Sequence, residues 1–233
     1  MTQPKIRILI VEDEIAIRTG LVDVFVFHGY DVDWAEDGPT GLHKGLSGKF
    51  DLILLDVMLP GMDGYTICNQ LRTQDPEQAI IMLTAKGCDE DIIQGLILGA
   101  DDYVTKPFSV AQLILRVQAV LRRSRATPQS GTLQLGSEMA IDTLNLVGRY
   151  GTTTTHFTRR EMEILQYLHL NGQRPVPREE LLHKVWGYAK NMEIETRTVD
   201  IHIAKLRRKI EPDSANPRYL ITVRGAGYRL ICD

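Results

Sequence analysis

Four short strand-like runs of this chain each end in a residue that can do chemistry. Glu12 and Asp13 follow residues 5–11, Asp56 follows Leu52-Ile53-Leu54-Leu55, Thr84 closes residues 79–84, and Lys106 follows residues 101–105. In an open α/β sheet the carboxyl ends of the strands share one edge, which is where ligands bind. Three carboxylates brought together there repel one another unless a cation intervenes. A hard divalent ion held by a few carboxylates and water suits Mg²⁺, which keeps part of its hydration shell and bridges readily to phosphate. Asp56, at the centre of the row, is then placed to act as a nucleophile toward a phosphoryl group. Mg²⁺ and Lys106 would neutralise the phosphoryl oxygens, and the Thr84 hydroxyl would donate to one of them.

The elements that must position these groups alternate. Strands are expected over residues 5–11, 30–35, 51–56, 79–84 and 101–105. A helix that ends near Val24-Phe25-Val26-Phe27 follows the first of them. Further helices are expected over 38–48, 64–73, 89–98 and 109–123. The run before Asp56 is continuously aliphatic, as in a strand buried on both faces. Strict alternation predicts an α/β fold, a doubly wound five-stranded parallel sheet of flavodoxin-like type. Two rival chemistries fail on local sequence. A dinucleotide-binding turn needs glycines after the first strand, and here Val11-Glu12-Asp13-Glu14 would repel a pyrophosphate. A phosphatase of the haloacid dehalogenase type carries a second aspartate two residues after the nucleophile, where this chain has Met58.

At 233 residues the length allows two domains, and the charge divides them. Residues 1–123 hold 11 Lys and Arg against 18 Asp and Glu, and residues 124–233 hold 16 against 12. An acidic half joined to a basic one suggests that the second half faces a polyanion. Residues 124–132, with Pro128, Gly131 and several hydroxyl residues, have linker composition, leaving a first domain at 1–123 and a second at 133–233. No apolar segment approaches the length of a membrane span, and no signal-peptide pattern opens the chain. Cys68, Cys88 and Cys232 lack metal-type spacing and read as reduced thiols of a cytoplasmic protein.

Short strands are expected in the second half over residues 133–135, 139–142, 144–147 and 151–156. Thr158 with Glu161 forms a capping box, and Phe157 with Met162 a hydrophobic staple, at the start of a helix that runs to Leu170. A second helix is expected over 178–186 and a third over 196–210. At about 100° per residue, Val199, Ile203, Leu206 and Ile210 form a narrow apolar seam on the third helix. Arg197, Ile201, Ala204 and Arg208 then lie opposite, with Lys205 flanking them. Such a helix suits the major groove, where Arg and Lys read guanine edges and small or apolar residues meet thymine methyls. Residues 219–230 form a hairpin with a Gly-Ala-Gly turn, and Arg224 and Arg229 sit where a wing touches phosphate.

The ordered set Glu12-Asp13, Asp56, Thr84-Ala85 and Lys106-Pro107-Phe108, with Leu98-Gly99-Ala100-Asp101-Asp102-Tyr103 before the lysine, resembles the receiver domain of bacterial two-component response regulators. The run Glu195-Thr196-Arg197-Thr198-Val199-Asp200-Ile201-His202-Ile203 and the hairpin Val223–Arg229 resemble the winged-helix effector domain of OmpR/PhoB-type transcription factors. The likeness covers residues 5–231. It implies that Glu12, Asp13, Asp56 and the Met58 backbone carbonyl hold Mg²⁺, and that Asp56 accepts phosphate from a sensor histidine kinase. Thr84 and Lys106 would sense the phosphoryl group, Tyr103 would be the aromatic that swings inward, and Lys106-Pro107 would be cis. The third helix would be the recognition helix, with Thr198 among its contacts, and residues 187–195 would meet RNA polymerase. Such a protein is not an enzyme beyond assisting phosphoryl transfer to and from its own aspartate. It dimerises on phosphorylation and binds double-stranded promoter DNA. The rival expectation is a constitutive DNA-binding regulator with a pseudo-receiver.

The chain departs from the family pattern in three places. The basic and acidic residues that commonly pair across the receiver dimer are replaced by Ile92 and Gln112, leaving Asp101, Asp102, Arg116, Arg122 and Arg123 as candidate partners. Pro177 stands where a serine or threonine usually caps the second effector helix. Ala204 occupies a position often basic in relatives, so their DNA sequence cannot be transferred.

Overall fold

The computed structural model describes residues 5–85, 99–124, 131–188 and 197–233. The chain divides into two compact units, Met1–Arg125 and Ala126–Asp233.

In the first unit the strands β1 (Arg7–Val11), β2 (Asp31–Ala35), β3 (Leu52–Asp56), β4 (Ile80–Ala85) and β5 (Asp102–Lys106) form a parallel sheet in the order β2-β1-β3-β4-β5. Every residue of β3 is buried, as its unbroken aliphatic run requires. Ile8, Ile10, Leu52, Leu54, Ile81 and Leu83 share one core with Leu21 and Phe25 of helix α1 (Ile15–Phe27) and Leu113 and Val117 of helix α4 (Val110–Ser124). Leu9, Val11, Ile53 and Leu55, the alternate set, are equally buried. Each such side chain contributes about 2 kcal/mol by leaving water.

Helix α2 (Gly38–Gly45) starts at Asp37, whose carboxylate accepts from the Thr40 amide at 2.8 Å. It stops before the expected residue 48 because Gly48 takes φ +66°, a conformation open to glycine. Helix α3 (Gly64–Gln74) is capped by Asp63 in the same way, with Thr66 as donor. The helix expected over 89–98, and Ile92 within it, lie outside the described residues. The Lys106–Pro107 bond is cis.

The second unit opens with β6 (Thr132–Leu135), β7 (Met139–Asp142), β8 (Val147–Tyr150) and β9 (Thr153–His156) in a four-stranded antiparallel meander. The strand expected over 144–147 is instead a turn. Asp142 accepts from the amides of Leu144 and Asn145, both at 3.0 Å, and Leu146 takes φ +56°, so β8 begins only at Val147. Helix α5 (Arg159–Leu170) carries the complete Thr158–Glu161 capping box. Helix α6 (Arg178–Leu181) continues as a π-helical turn through Trp186 and ends at the left-handed Gly187. Helix α7 (Arg197–Ile210) and the hairpin β10 (Leu220–Val223) to β11 (Gly227–Leu230) complete the unit. Tyr228 of β11 also bridges to Val176. A side chain at Gly227 would stand 2.0 Å from the Val176 carbonyl oxygen, which explains the second glycine of the turn.

Candidate functional site

The parallel sheet delivers the acidic groups to one edge. Glu12 and Asp13 follow β1 directly, Asp56 is the last residue of β3, and Lys106 is the last of β5. Glu12 and Asp56 are buried, Asp13 is exposed, and each offers a carboxylate oxygen within 4.8 Å of the others. The Lys106 ammonium inserts among them, 2.9 and 2.8 Å from the two Glu12 oxygens and 3.1 Å from Asp56 Oδ2. Burial pushes the Asp56 carboxyl above its ordinary pKa against the pull of Lys106, and burial with the neighbouring Asp56 charge does the same to Glu12. Burial alone would lower the Lys106 pKa, but its bonds to Glu12 and Asp56 hold it above normal.

One ammonium against three carboxylates leaves a charge deficit that a divalent cation would fill. The donors are all hard oxygens, and the exposed Asp13 leaves one side open to water. That set fits Mg²⁺. Met58, named for its backbone carbonyl, follows in the loop with its side chain 70% exposed. Thr84 is buried near the end of β4, one residue beyond the Leu83 that pairs with Asp56 in register. Tyr103 is buried on β5 beside Met82. The loop after Asp56 returns close to it: a Cβ at Gly64 would lie 2.1 Å from the Asp56 carbonyl oxygen.

The carboxylates offered as partners across a receiver dimer are engaged within the chain. Arg72 Nη2 meets Asp101 Oδ2 at 2.7 Å with both side chains buried, and Arg72 Nε donates to the Gly99 carbonyl at 2.7 Å. Asp101 also accepts from the Ile80 amide at 2.9 Å. Arg116 Nη1 donates to both oxygens of the fully buried Asp102, at 3.1 and 3.0 Å. Arg122 is exposed, and the Arg123 side chain lies outside the described part.

On helix α7 the outward strip is narrower than the spacing implied. Ala204 and Arg208 are exposed and Thr198 is half-buried, while the Arg197 side chain lies outside the described part. Ile201 and Lys205, expected on that strip, are only 6% and 8% exposed. For Lys205 the reason is Glu161. Its buried carboxylate draws Lys205 to 3.0 Å, an ion pair without hydrogen-bond geometry, and Lys209 to 2.6 Å. Those charges and the Thr158 amide hold the Glu161 pKa at about 2 despite burial. His202, fully buried against Trp186, donates from Nδ1 to the Thr198 carbonyl at 2.9 Å, and burial lowers its pKa to about 4.

In the hairpin, Arg224 is exposed at the turn. Arg229 is half-buried, and its Nε donates inward to the Gly172 carbonyl at 2.8 Å, tying β11 to the loop after α5. Sequence spacing missed three bracing residues. Arg207 donates to the Leu220 carbonyl and the Thr222 hydroxyl, both at 2.8 Å. Arg178 donates to Asp200 at 2.6 Å and to the Tyr228 hydroxyl at 2.9 Å, and Tyr228 donates to the same Asp200 oxygen at 2.6 Å. Burial and then Asp200 push the Tyr228 pKa up to about 12. Nothing local announces partners drawn from separate elements.

The sequence matches known proteins along its length. Residues 8–118 match the family described as response regulator receiver domain, and residues 152–230 match transcriptional regulatory protein, C terminal. The chain is 41% identical over 232 residues to the alkaline phosphatase synthesis transcriptional regulatory protein PhoP of Bacillus subtilis, covering 96% of each. It is 40% identical over 231 residues to the sensory transduction protein RegX3 of Mycobacterium tuberculosis, covering 96% of this chain and 98% of that one. Among solved structures, a RitR mutant superposes with a TM-score of 0.70 at 29% identity, covering 97% of this chain and 99% of the other. The response regulator DrrB, an OmpR/PhoB homologue from Thermotoga maritima, gives 0.50 at 31% identity over the same shares.

Proposed function

The chain belongs to the OmpR/PhoB family of two-component response regulators, with a receiver and a DNA-binding domain, and we propose that its switch is a phosphoryl group on Asp56. The observation that carries this is the Lys106 ammonium within 3.1 Å of a buried Asp56 whose neighbours are Glu12 and Asp13. An Asp56 oxygen forms the new P–O bond as the P–N bond of a sensor histidine kinase's phosphohistidine breaks. Lys106 offsets charge on the transferred oxygens, and the Thr84 hydroxyl offers a donor. Glu12, Asp13, Asp56 and the Met58 carbonyl would hold Mg²⁺, which would supply the rest of that neutralising charge.

The acyl phosphate then biases a two-state receiver in which Thr84 and Tyr103 report the modification. Two chains associate and set their effector domains on half-sites of promoter DNA, with Arg208 and Ala204 toward the bases and Arg224 toward phosphate. Thr198 and Arg197, at the start of α7, add DNA contacts, and residues 187–195 meet RNA polymerase. The protein works in the cytoplasm and catalyses nothing beyond the making and loss of its own phosphate. No helix among the described residues is long and apolar enough to cross a membrane.

The test is a small phosphodonor with Mg²⁺, resolved on a phosphate-affinity gel. Wild type gains a slower band and Asp56→Asn does not; equal labelling of both sinks the assignment. A protein already dimeric and operator-bound without phosphodonor would replace it with a phosphate-independent regulator.

A further inference from the structure

Arg18 belongs to α1, yet its guanidinium turns back beneath the turn that carries Glu12 and Asp13. Its Nη1 donates to the Glu12 carbonyl at 2.7 Å and to the Asp13 carbonyl at 3.0 Å. The residue is 7% exposed, so these charge-assisted bonds form away from bulk water. Trp34, on the edge strand β2, covers the guanidinium with its ring centroid 4.7 Å from Arg18 Cζ. Glu36 supplies a looser contact, 3.4 Å from Nη2 through an exposed side chain. Trp34 is held in turn by Lys44, which donates to its carbonyl at 2.7 Å and pairs with Asp33 at 2.8 Å. The Glu12 amide donates to the Ala35 carbonyl at 3.1 Å, so the same edge of the sheet grips the turn from its other side.

From this arrangement we propose that Arg18 is a positioning residue for the divalent cation, acting through the main chain of Glu12 and Asp13 with Trp34 as its backing. The inference rests on the metal reading of the acidic edge. Carboxylates within 4.8 Å of one another push apart, and Asp13, exposed on its outer side, has the most freedom to leave. Arg18 cannot touch the ion. It fixes both carbonyls from behind, so the two side chains start from one rigid turn and the cation meets a preformed set of ligands. Its positive charge behind the turn also opposes the mutual repulsion of the carboxylates. Supporting groups of this kind change metal affinity by about 10–100-fold when removed.

The experiment measures Mg²⁺ binding to the full-length protein by calorimetry, alongside thermal unfolding, for wild type, Arg18→Ala, Arg18→Lys, Trp34→Ala and Leu21→Ala. Leu21 is a core residue of the same helix and serves as a control for general destabilisation. Arg18→Ala is expected to weaken Mg²⁺ by about tenfold or more, Arg18→Lys and Trp34→Ala by less, and Leu21→Ala to lower the unfolding temperature while binding Mg²⁺ as wild type does. Wild-type affinity in a folded Arg18→Ala, or an equal loss in Leu21→Ala, overturns the proposal. Should Arg18→Ala not fold, Trp34→Ala decides it: unchanged Mg²⁺ affinity there overturns the proposal too. No Mg²⁺ binding by wild type overturns the metal reading itself, a separate outcome.

Discussion

Lys205 lies on α7, the helix proposed to read DNA, but its ammonium sits 3.0 Å from the buried carboxylate of Glu161 and faces away from solvent. Lys205 is thus a fastener between α7 and α5, with Lys209 as the second. Breaking a buried pair leaves an uncompensated charge and costs about 3–5 kcal/mol, less where another partner remains.

Lys205→Met is therefore expected to destabilise the DNA-binding unit by about 2 kcal/mol without changing its preference for operator over random DNA. Urea unfolding and fluorescence anisotropy on both DNAs check this. A lost preference at unchanged stability would return Lys205 to the DNA face.

Arg208 and Arg224 divide the opposite way. Arg208→Ala is expected to weaken operator binding by about 1–3 kcal/mol and random DNA by less, while Arg224→Ala weakens both alike and lowers the salt slope by about 1. Titrations at several salt concentrations separate the two. Equal losses on both DNAs for Arg208→Ala would reduce it to a phosphate anchor.

Acid is expected to weaken the DNA-binding unit in two stages. His202 has a folded pKa of about 4 against 6.5 unfolded, so the unfolded chain takes up the proton first and stability falls from pH 6.5 toward 4. Glu161, at about 2 against 4.5, contributes stability that is full above 4.5 and lost as pH falls toward 2. By linkage each accounts for a loss on the order of 3 kcal/mol as pH falls from its unfolded to its folded pKa. Denaturant midpoints from pH 7 to 3 follow the loss, and His202→Phe should flatten the upper stage; an unaltered profile in that variant refutes the assignment.

Lys106 and a divalent ion should compete for the same carboxylates. In Lys106→Met the receiver is expected to be less stable without Mg²⁺ and to gain more from its addition than wild type does, because a ligand held more tightly by the folded state stabilises it more. Melting curves with and without Mg²⁺ show it. Identical shifts would mean that the ammonium and the ion do not share ligands.

Asp101→Ala is expected to destabilise the isolated monomer by about 3 kcal/mol, since Arg72 would be left buried without its carboxylate. If unfolding is unchanged and only self-association falls, Asp101 acts across a dimer after all.

Much of the receiver is legible because its signals are local. The short aliphatic run of β3, bounded by turn signals, reads as a buried strand, and the groups at the strand ends follow from parallel topology. The Thr158–Glu161 box is legible for the same reason. What the sequence hides is the second use of a residue. Glu161 reads as a cap, and nothing near it announces two lysines from a helix 44 and 48 residues later. The burial of Lys205 follows from that second use. The seam of Val199, Ile203, Leu206 and Ile210 also understates how much of α7 is enclosed, since Ile201 is buried as well. Arg18 was invisible because its partners are backbone carbonyls, which carry no residue type.

The two sheets also differ in how far apart along the chain their partners lie. In the second unit β6 to β9 pair in succession through short turns, so each strand finds its neighbour as soon as both exist. In the first, β1 pairs with β3 across β2 and α2, and every neighbour is reached by a crossover. Long-range pairing is slow because loop closure precedes any reward. During synthesis the ribosome therefore releases the slow-closing half first, and the hydrophobic β1 waits for β3 with one side unpaired. The interval before Leu52–Asp56 emerges is when this chain is most open to aggregation and to chaperones.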